Sequence, residues 1–321
     1  MTQATVASPQ SARTGGSGVR FRKQSALRQW LNKESVAGYV CSLPFIFGFL
    51  MFLLVPMALS IYYSFTDYNI LSEPEWTGLD NFKEMFTNDP LFWQSMKVTL
   101  FYALISTPLR LIFALAVAML LLRNSAVSGF YRAAYYLPSI LGGSVAVAIL
   151  WKQMFAQDGV LNKALGIFGI HTNFAWLGSE RTAIWTLILL GVWQFGSSML
   201  IFLASLKQIP SELYEAASVD GATKWTQFWK ITLPLLTPTI FFNLVMQSIN
   251  GFLAFTQCYI ITQGKPQNST LFYMVQMYNE SFTNFNAGYG AGMAWVMLAV
   301  VGIYTAILFA TKRFWVYDEE A

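Results

Sequence analysis

Charge is what this chain of 321 residues has least of: Asp, Glu, Lys and Arg together make up 11% of it, against about a quarter in a soluble domain. So few charges cannot cover a water-facing surface, which excludes an ordinary soluble fold. Histidine is scarcer still. The single His171 rules out an H-E-x-x-H zinc site, and any Ser-His pair would have to use this one residue. No G-x-S-x-G elbow accompanies it. A G-x-x-x-x-G-K-[ST] phosphate loop is also missing, since Gly264-Lys265 runs into Pro266. No catalytic residue, metal ligand or cofactor is therefore expected on this chain, and His171 reads as a solvated loop residue. The two cysteines, Cys41 and Cys258, fall in apolar runs and read as small hydrophobes, not as a disulfide framework. The net charge of +4 comes from basic residues scattered among separate segments, which argues against a nucleic-acid surface.

What the chain has in abundance is apolar length. Hydrophobic residues make up 55%, and a helix needs about 20 of them in a row to cross a bilayer core. Six runs qualify, at about 36–65, 95–122, 134–155, 183–206, 231–262 and 290–311. Length alone does not separate six tilted helices from five and a re-entrant segment. The distribution of Lys and Arg is an independent check. Arg13, Arg20, Arg22, Lys23, Arg28 and Lys33 precede the first run, Arg123 and Arg132 flank the second connection, Lys207, Lys224 and Lys230 lie in the fourth, and Lys312 and Arg313 follow the last. The first connection carries Asp67, Glu73, Glu75, Asp80, Glu84 and Asp89. The expected organisation is a basic cytoplasmic tail over 1–34, a six-helix domain over 35–313 with a cytoplasmic connection at 207–230, and a cytoplasmic C-terminus over 314–321. The tail lacks the apolar core of a secretory signal.

One connection stands apart. From Tyr214 to Pro234 the sequence is YEAASVDGATKWTQFWKITLP, a polar, helix-forming insert between two apolar runs. Pro210-Ser211 is a helix-start signal, with Ser211 placed to cap free N–H groups and Glu212 in the first turn. Gly221 is the expected stop, a second short segment spans Lys224 to Lys230, and Pro234 marks entry into the fifth run. Two alanines, Ala216 and Ala217, permit close approach to a groove, and Glu215 offers a charge-assisted hydrogen bond to a partner arginine.

The spacing of Glu215-Ala216-Ala217, Asp220-Gly221 and Ile231-x-Leu233-Pro234 resembles the EAA loop of permeases in ATP-driven, binding-protein-dependent importers. Gly78-Leu79-Asp80-Asn81-Phe82, Arg132-x-x-x-x-Leu137-Pro138, Trp151-Lys152, Ile209-Pro210 and Thr262-x-Gly264-x-Pro266 are similar to landmarks of the carbohydrate-uptake, maltose-transporter type. Lys265 stands where that pattern has a second glycine. The resemblance implies an all-α integral membrane protein, the six-helix permease of a type I importer with a cytoplasmic coupling helix, in a bacterial inner membrane with both termini cytoplasmic. Its implied partners are a second, homologous permease subunit, two ATPase subunits that hold ATP and Mg, an extracytoplasmic solute-binding protein and a carbohydrate. The ATPase-coupling residues would be Glu215, Ala216, Ala217, Asp220, Gly221, Ile231, Leu233 and Pro234.

Polar residues inside apolar runs are costly and usually face a bundle interior or a watery cavity. Asn243, Gln247, Asn250 and Gln257 in the fifth run fall within an arc of about 80° on one continuous helix. They line a solute path or hydrogen-bond to other helices. Gln194, Ser197 and Ser198 beside Trp193 divide between sugar contact and close packing. Gly142-Gly143-Ser144 reads as a helix contact. Arg110 in the second run demands a partner: a carbonyl, a carboxylate of the other permease, or an anionic solute, in which last case the cargo would be an acidic oligosaccharide such as alginate. An ion-driven secondary transporter is the rival from another class, yet no Asp or Glu lies in any of the six runs and no inverted repeat is evident.

Overall fold

The computed structural model describes residues 34–122 and 128–317; the basic tail over 1–33, Arg123 and residues 318–321 lie outside it. Compactness divides the chain into one unit ending at Ala58 and another beginning at Leu59. The first contains Glu34–Phe49 (α1), a wide π turn at Leu50–Leu54 and the start of Val55–Ser64 (α2).

In the second unit the chain forms a two-residue hairpin, Thr66–Asp67 (β1) against Glu75–Trp76 (β2), and then Asp80–Thr87 (α3). Asn81 ties this region down by donating to the carbonyls of Ser64 and Thr66 at 3.1 and 2.8 Å. The longest helix follows, Pro90–Leu120 (α4). Asp89 starts it by accepting from the Leu91 N–H at 2.8 Å, with Pro90 in the first turn where its missing N–H costs nothing. α4 runs on through Pro108. Its inner face is a stripe of small and polar residues, among them Ser95, Thr99, Ala103, Ser106, Thr107 and Ala114. Such residues let neighbouring backbones approach closely.

Later elements are Ser128–Leu141 (α5), Val145–Met154 (α6), Val160–Ile167 (α7), Glu180–Trp193 (α8), Gly196–Leu206 (α9), Ser211–Val219 (α10) and Lys224–Gln227 (α11). A π turn at Phe228–Thr232 leads into Leu233–Phe252 (α12), followed by Thr256–Ile261 (α13), Tyr273–Tyr278 (α14), a π turn at Asn279–Thr283 and Ala287–Trp315 (α15). α4 is the hub, packed on α8, α9, α12 and α14. One buried cluster centres on Leu187, Leu190 and Phe272, a second on Ala114, Phe202 and Leu236, and a third on Met85, Phe92, Tyr273 and Met293. Other faces leave large apolar side chains uncovered, such as Ile112 and Leu120 on α4 and Leu298, Ile303 and Ile307 on α15. Continuous apolar faces of this kind suit hydrocarbon, not water.

Among the described residues four helices are long and apolar enough to cross a membrane: Cys41–Ser64, Pro90–Leu120, Lys224–Ile261 and Ala287–Trp315. Crossings rise to six if each of two bent pairs counts as one, α5 with α6 at 97° and α8 with α9 at 42°. The third and fourth runs are thus not single straight helices. The third breaks because Gly142 and Gly143 interrupt it and Ser144 caps a new helix, accepting from the Val147 N–H at 3.3 Å. The fourth breaks at Gln194. There the Ser139 hydroxyl from α5 fills the gap, donating to the Gln194 carbonyl and accepting from the Ser197 N–H, each at 2.9 Å. Gln194 in turn donates from Nε2 to the Gly142 carbonyl at 3.0 Å, so the two breaks bond to each other. Gly142 lies so close that an added Cβ would overlap the Gln194 side chain.

Backbone freed from a helix ladder inside a membrane must find partners within the protein. Ser139→Ala should therefore cost about 1–3 kcal/mol by stranding two backbone groups. A lower thermal midpoint of the purified protein is the expected result, and an unchanged midpoint would contradict the bridging role.

Candidate functional site: a cavity at three helix breaks

A third break completes the picture. α12 ends at Phe252, and the chain resumes helix only at Thr256. Around these three interruptions lies a cavity of about 340 Å³, lined from α4 by Tyr102, Ser106, Thr107 and Arg110, from α5 and the following turn by Ser139 and Gly143, from α8 and α9 by Gly191, Gln194 and Ser197, and from α12 onward by Gln247, Asn250, Gly251 and residues 253–257. That volume falls at the small end of ligand sites. Its walls are rich in amides and hydroxyls, and Asn250 is exposed.

Arg110 crosses the floor. Its Nε donates to the Gly191 carbonyl at 2.7 Å, Nη1 to Gln247 Oε1, and Nη2 to Gln194 Oε1 at 3.3 Å. Thr107 adds a bond to the Gln247 carbonyl at 3.3 Å. One side chain on α4 therefore ties α8 and α12 together at the level of the breaks. A buried cation is expensive unless hydrogen-bonded, and here every acceptor is neutral.

Of the solute-path residues read from sequence, Gln194, Ser197, Gln247, Asn250 and Gln257 line the cavity. Asn243 and Ser198 do not. Asn243 lies a full turn, about 6 Å, along α12 from Gln247; it is buried and donates to the Thr239 carbonyl at 3.0 Å. Ser198 points into the packed side of α9, fully buried. Gln257 reaches the cavity from beyond the break, so the continuous helical arc that grouped it with the others is not the reason it is there. Trp193 turns away and pairs with Trp151 at 5.9 Å. Gly143 belongs to the lining, whereas Gly142 is the helix contact expected of it. Tyr102, Ser106 and Thr107 are lining residues that sequence reading passed over, although Ser106 and Thr107 stand one turn from Arg110.

The Tyr214–Pro234 insert forms a folded arm. α10 starts at Ser211 behind Pro210, and no side chain caps it, so the expected Ser211 cap does not form. Gly221 ends the helix with φ +77°, the left-handed conformation that favours glycine. The Ala222 N–H closes the turn on the Ala217 carbonyl at 2.8 Å. Thr223 then caps α11, accepting from the Thr226 N–H at 3.3 Å. Helix continues from Lys224 through the π turn into α12, so Pro234 lies inside a helix instead of opening one. The wide turn just before it, where the Leu233 N–H reaches back to the Phe228 carbonyl, accommodates the proline's missing donor.

Gln227 is the clamp, and sequence reading missed it. It is 3% exposed, donates from Nε2 to Ser218 Oγ at 2.8 Å and the Tyr214 carbonyl at 3.3 Å, and accepts from Lys224 Nζ at 3.2 Å. The Tyr214 hydroxyl pairs with Thr232 Oγ1 at 2.9 Å. These bonds fasten α10 to the base of the helix that carries Gln247 and Asn250 into the cavity. Glu215, Ala216, Asp220 and Gly221 are exposed on the arm, Ala217 is half-buried, and Ile231, Leu233 and Pro234 are half-buried on the connecting helix. Val219 and Trp225 stand out at 88% and 70% exposure. His171 is exposed on the loop after α7, and both cysteines are free.

A sequence profile of the binding-protein-dependent transport system inner membrane component matches residues 41–316. The chain is 52% identical over 308 residues to the probable ABC transporter permease protein YesP of Bacillus subtilis, covering 95% of this chain and 98% of that one. It is 30% identical to the lactose transport system permease protein LacF of Rhizobium radiobacter, over 90% of this chain and 97% of that one. A chain in the crystal structure of a bacterial alginate ABC transporter, in complex with an alginate pentasaccharide-bound periplasmic protein, superposes with a TM-score of 0.75. That match is at 23% identity and covers 89% of this chain and 95% of the other; it establishes a shared fold.

Replacing Gln227 by Leu leaves the Tyr214 carbonyl and Ser218 without this partner. Amide hydrogen exchange over 214–222 should then accelerate by roughly tenfold or more, as loss of a buried hydrogen-bonded tie implies. Exchange at the wild-type rate would show that the arm is held by other contacts.

Proposed function

This chain belongs to the family of binding-protein-dependent transport system inner membrane components, and on that footing we propose that it is the membrane-spanning half of an ATP-driven importer for a sugar or oligosaccharide. The observation that carries the reading is the shared helix: the arm is clamped by Gln227 to the same element that brings Gln247 and Asn250 to the cavity wall. A force applied at the arm reaches the solute contacts without crossing a flexible joint.

In this account the arm lies on the cytoplasmic side, both termini share that side, and ATP with Mg is held and hydrolysed by two partner subunits. A second permease subunit completes the pathway, and an extracytoplasmic binding protein delivers the solute. Glu215 offers its carboxylate to a cationic side chain of the ATPase groove, Ala216 and Ala217 allow close approach, and Asp220 and Gly221 shape the turn. When ATP draws the motor subunits together the arm moves with them, and Ile231, Leu233 and Pro234 transmit the tilt into α12. Coupling of this kind is a free energy between two sites. Amides such as Gln194, Asn250 and Gln257, each able to donate and accept, match sugar hydroxyls.

Reconstitution with partner subunits and binding protein tests the reading. Glu215→Ala and Gly221→Val should each lower ATP-dependent uptake by roughly tenfold or more, the Gly221 change through a backbone penalty of about 1–2 kcal/mol in the left-handed region, while the complex still copurifies. Asn250→Leu should weaken solute stimulation of ATP hydrolysis more than assembly. Wild-type uptake in both arm variants would contradict the coupling role, and uptake driven by an ion gradient with this chain alone would favour a secondary transporter.

A further inference from the structure

Among the described residues, Arg110 is the only charged one lining the cavity. Its guanidinium carries five N–H donors, of which Nε and one hydrogen on each terminal nitrogen are engaged by Gly191, Gln247 and Gln194. One donor on each terminal nitrogen is left without a partner among the described residues, enough for a two-pronged contact. The three acceptors hold the plane of the fork and leave its charge uncompensated, because none is a carboxylate. No Asp or Glu among the described residues lines the cavity, and no described ion pair involves Arg110.

We infer that Arg110 is a receptor for the carboxylate of the transported solute, so that the cargo is an acidic, uronate-bearing oligosaccharide. The inference rests on the sugar-import reading above and names its substrate class. A neutral sugar would offer the guanidinium only uncharged hydroxyls, which are no better partners for a cation than water. A carboxylate offers the opposite charge in a setting of lowered dielectric, where charge-assisted, two-pronged contacts with Arg are strongest. Arg suits this task better than Lys, since its fork is planar and is here fixed in advance by three hydrogen bonds. The surrounding Ser197, Asn250, Thr256 and Gln257 leave hydroxyl-matching groups around the charged centre.

The test uses the assembled complex in lipid nanodiscs, with trigalacturonate as probe against the same trisaccharide reduced at its carboxyl groups to primary alcohols. Binding is read as a concentration-dependent rise in the thermal midpoint. The wild type should favour the acid by about tenfold or more. Arg110→Gln should bring the ratio close to one, and Arg110→Lys should keep part of the preference because the charge remains. Equal response to the two sugars in the wild type, including no response to either, overturns the inference; that is the outcome expected if a carboxylate of the second permease subunit occupies Arg110. Preference that survives in Arg110→Gln also overturns it. If Arg110→Gln fails to assemble, the Lys variant decides, with retained preference in support and lost preference against. Glu215→Ala leaves this cavity untouched and should keep the wild-type ratio, so failure of the coupling reading and failure of this inference are separately visible.

Discussion

A cation held two-thirds of the way along a membrane-length helix is the constraint on which the rest of this structure depends. Arg110 lies too deep to reach the membrane surface, and unpaired burial would cost several kcal/mol. Neighbouring helices meet the demand by opening their backbones and turning amides inward. Gly191 lends a carbonyl from α8, Gln194 sits at the point where α8 gives way to α9, and Gln247 reaches across from α12. The break at Gln194 is stable because Ser139 replaces the lost ladder bonds, and Gln194 bonds in turn to the break at Gly142. Charge, cavity and bent helices are one arrangement. Interrupted helices are tolerated at membrane depth only where their freed backbone groups find partners or line a watery space, and here they do both.

The second constraint is mechanical. A transporter must move its solute contacts when something far from them changes, and a packed helix transmits displacement better than a loop does. On the proposed reading the chain meets this by running helix without interruption from Lys224 to Phe252, absorbing Pro234 in a wide turn instead of a kink. At one end Gln227 locks the arm to this helix. At the other, α12 stops within reach of the cavity, with Gln247 and Asn250 near its end.

Much of this was legible in the sequence, and the reasons for the failures are physical. Six apolar runs were visible because burial in hydrocarbon demands length and composition. The arm was visible because its glycine, alanines and proline sit at fixed spacing, and Gly221 does adopt the left-handed turn. Misreadings cluster at the helix breaks. Periodicity reports direction around a helix and not depth along it, so it placed Asn243 with Gln247, and it assumes a continuous 3.6-residue repeat, so it brought in Gln257 by an arc that ends at Phe252. Gly142-Gly143-Ser144 carried the ingredients of a break, two glycines and a cap, yet those same residues serve ordinary close packing. Ser139 was invisible because its importance lies in long-range partners, 55 and 58 residues away, which no local signal reports; Gln227 was missed although its partners lie within the arm, because a lone polar residue in a polar insert does not show that it is buried.

The central claim is that the arm and the cavity-bearing helix move as one body. Distances between spin labels at Val219 on the arm, Met246 on α12 and Leu120 at the end of α4, all exposed, test it most directly in the assembled complex with and without ATP. The account predicts a Val219–Met246 distance that stays constant while Val219–Leu120 changes. A Val219–Met246 distance that shifts with ATP, beside a constant Val219–Leu120 distance, would contradict it.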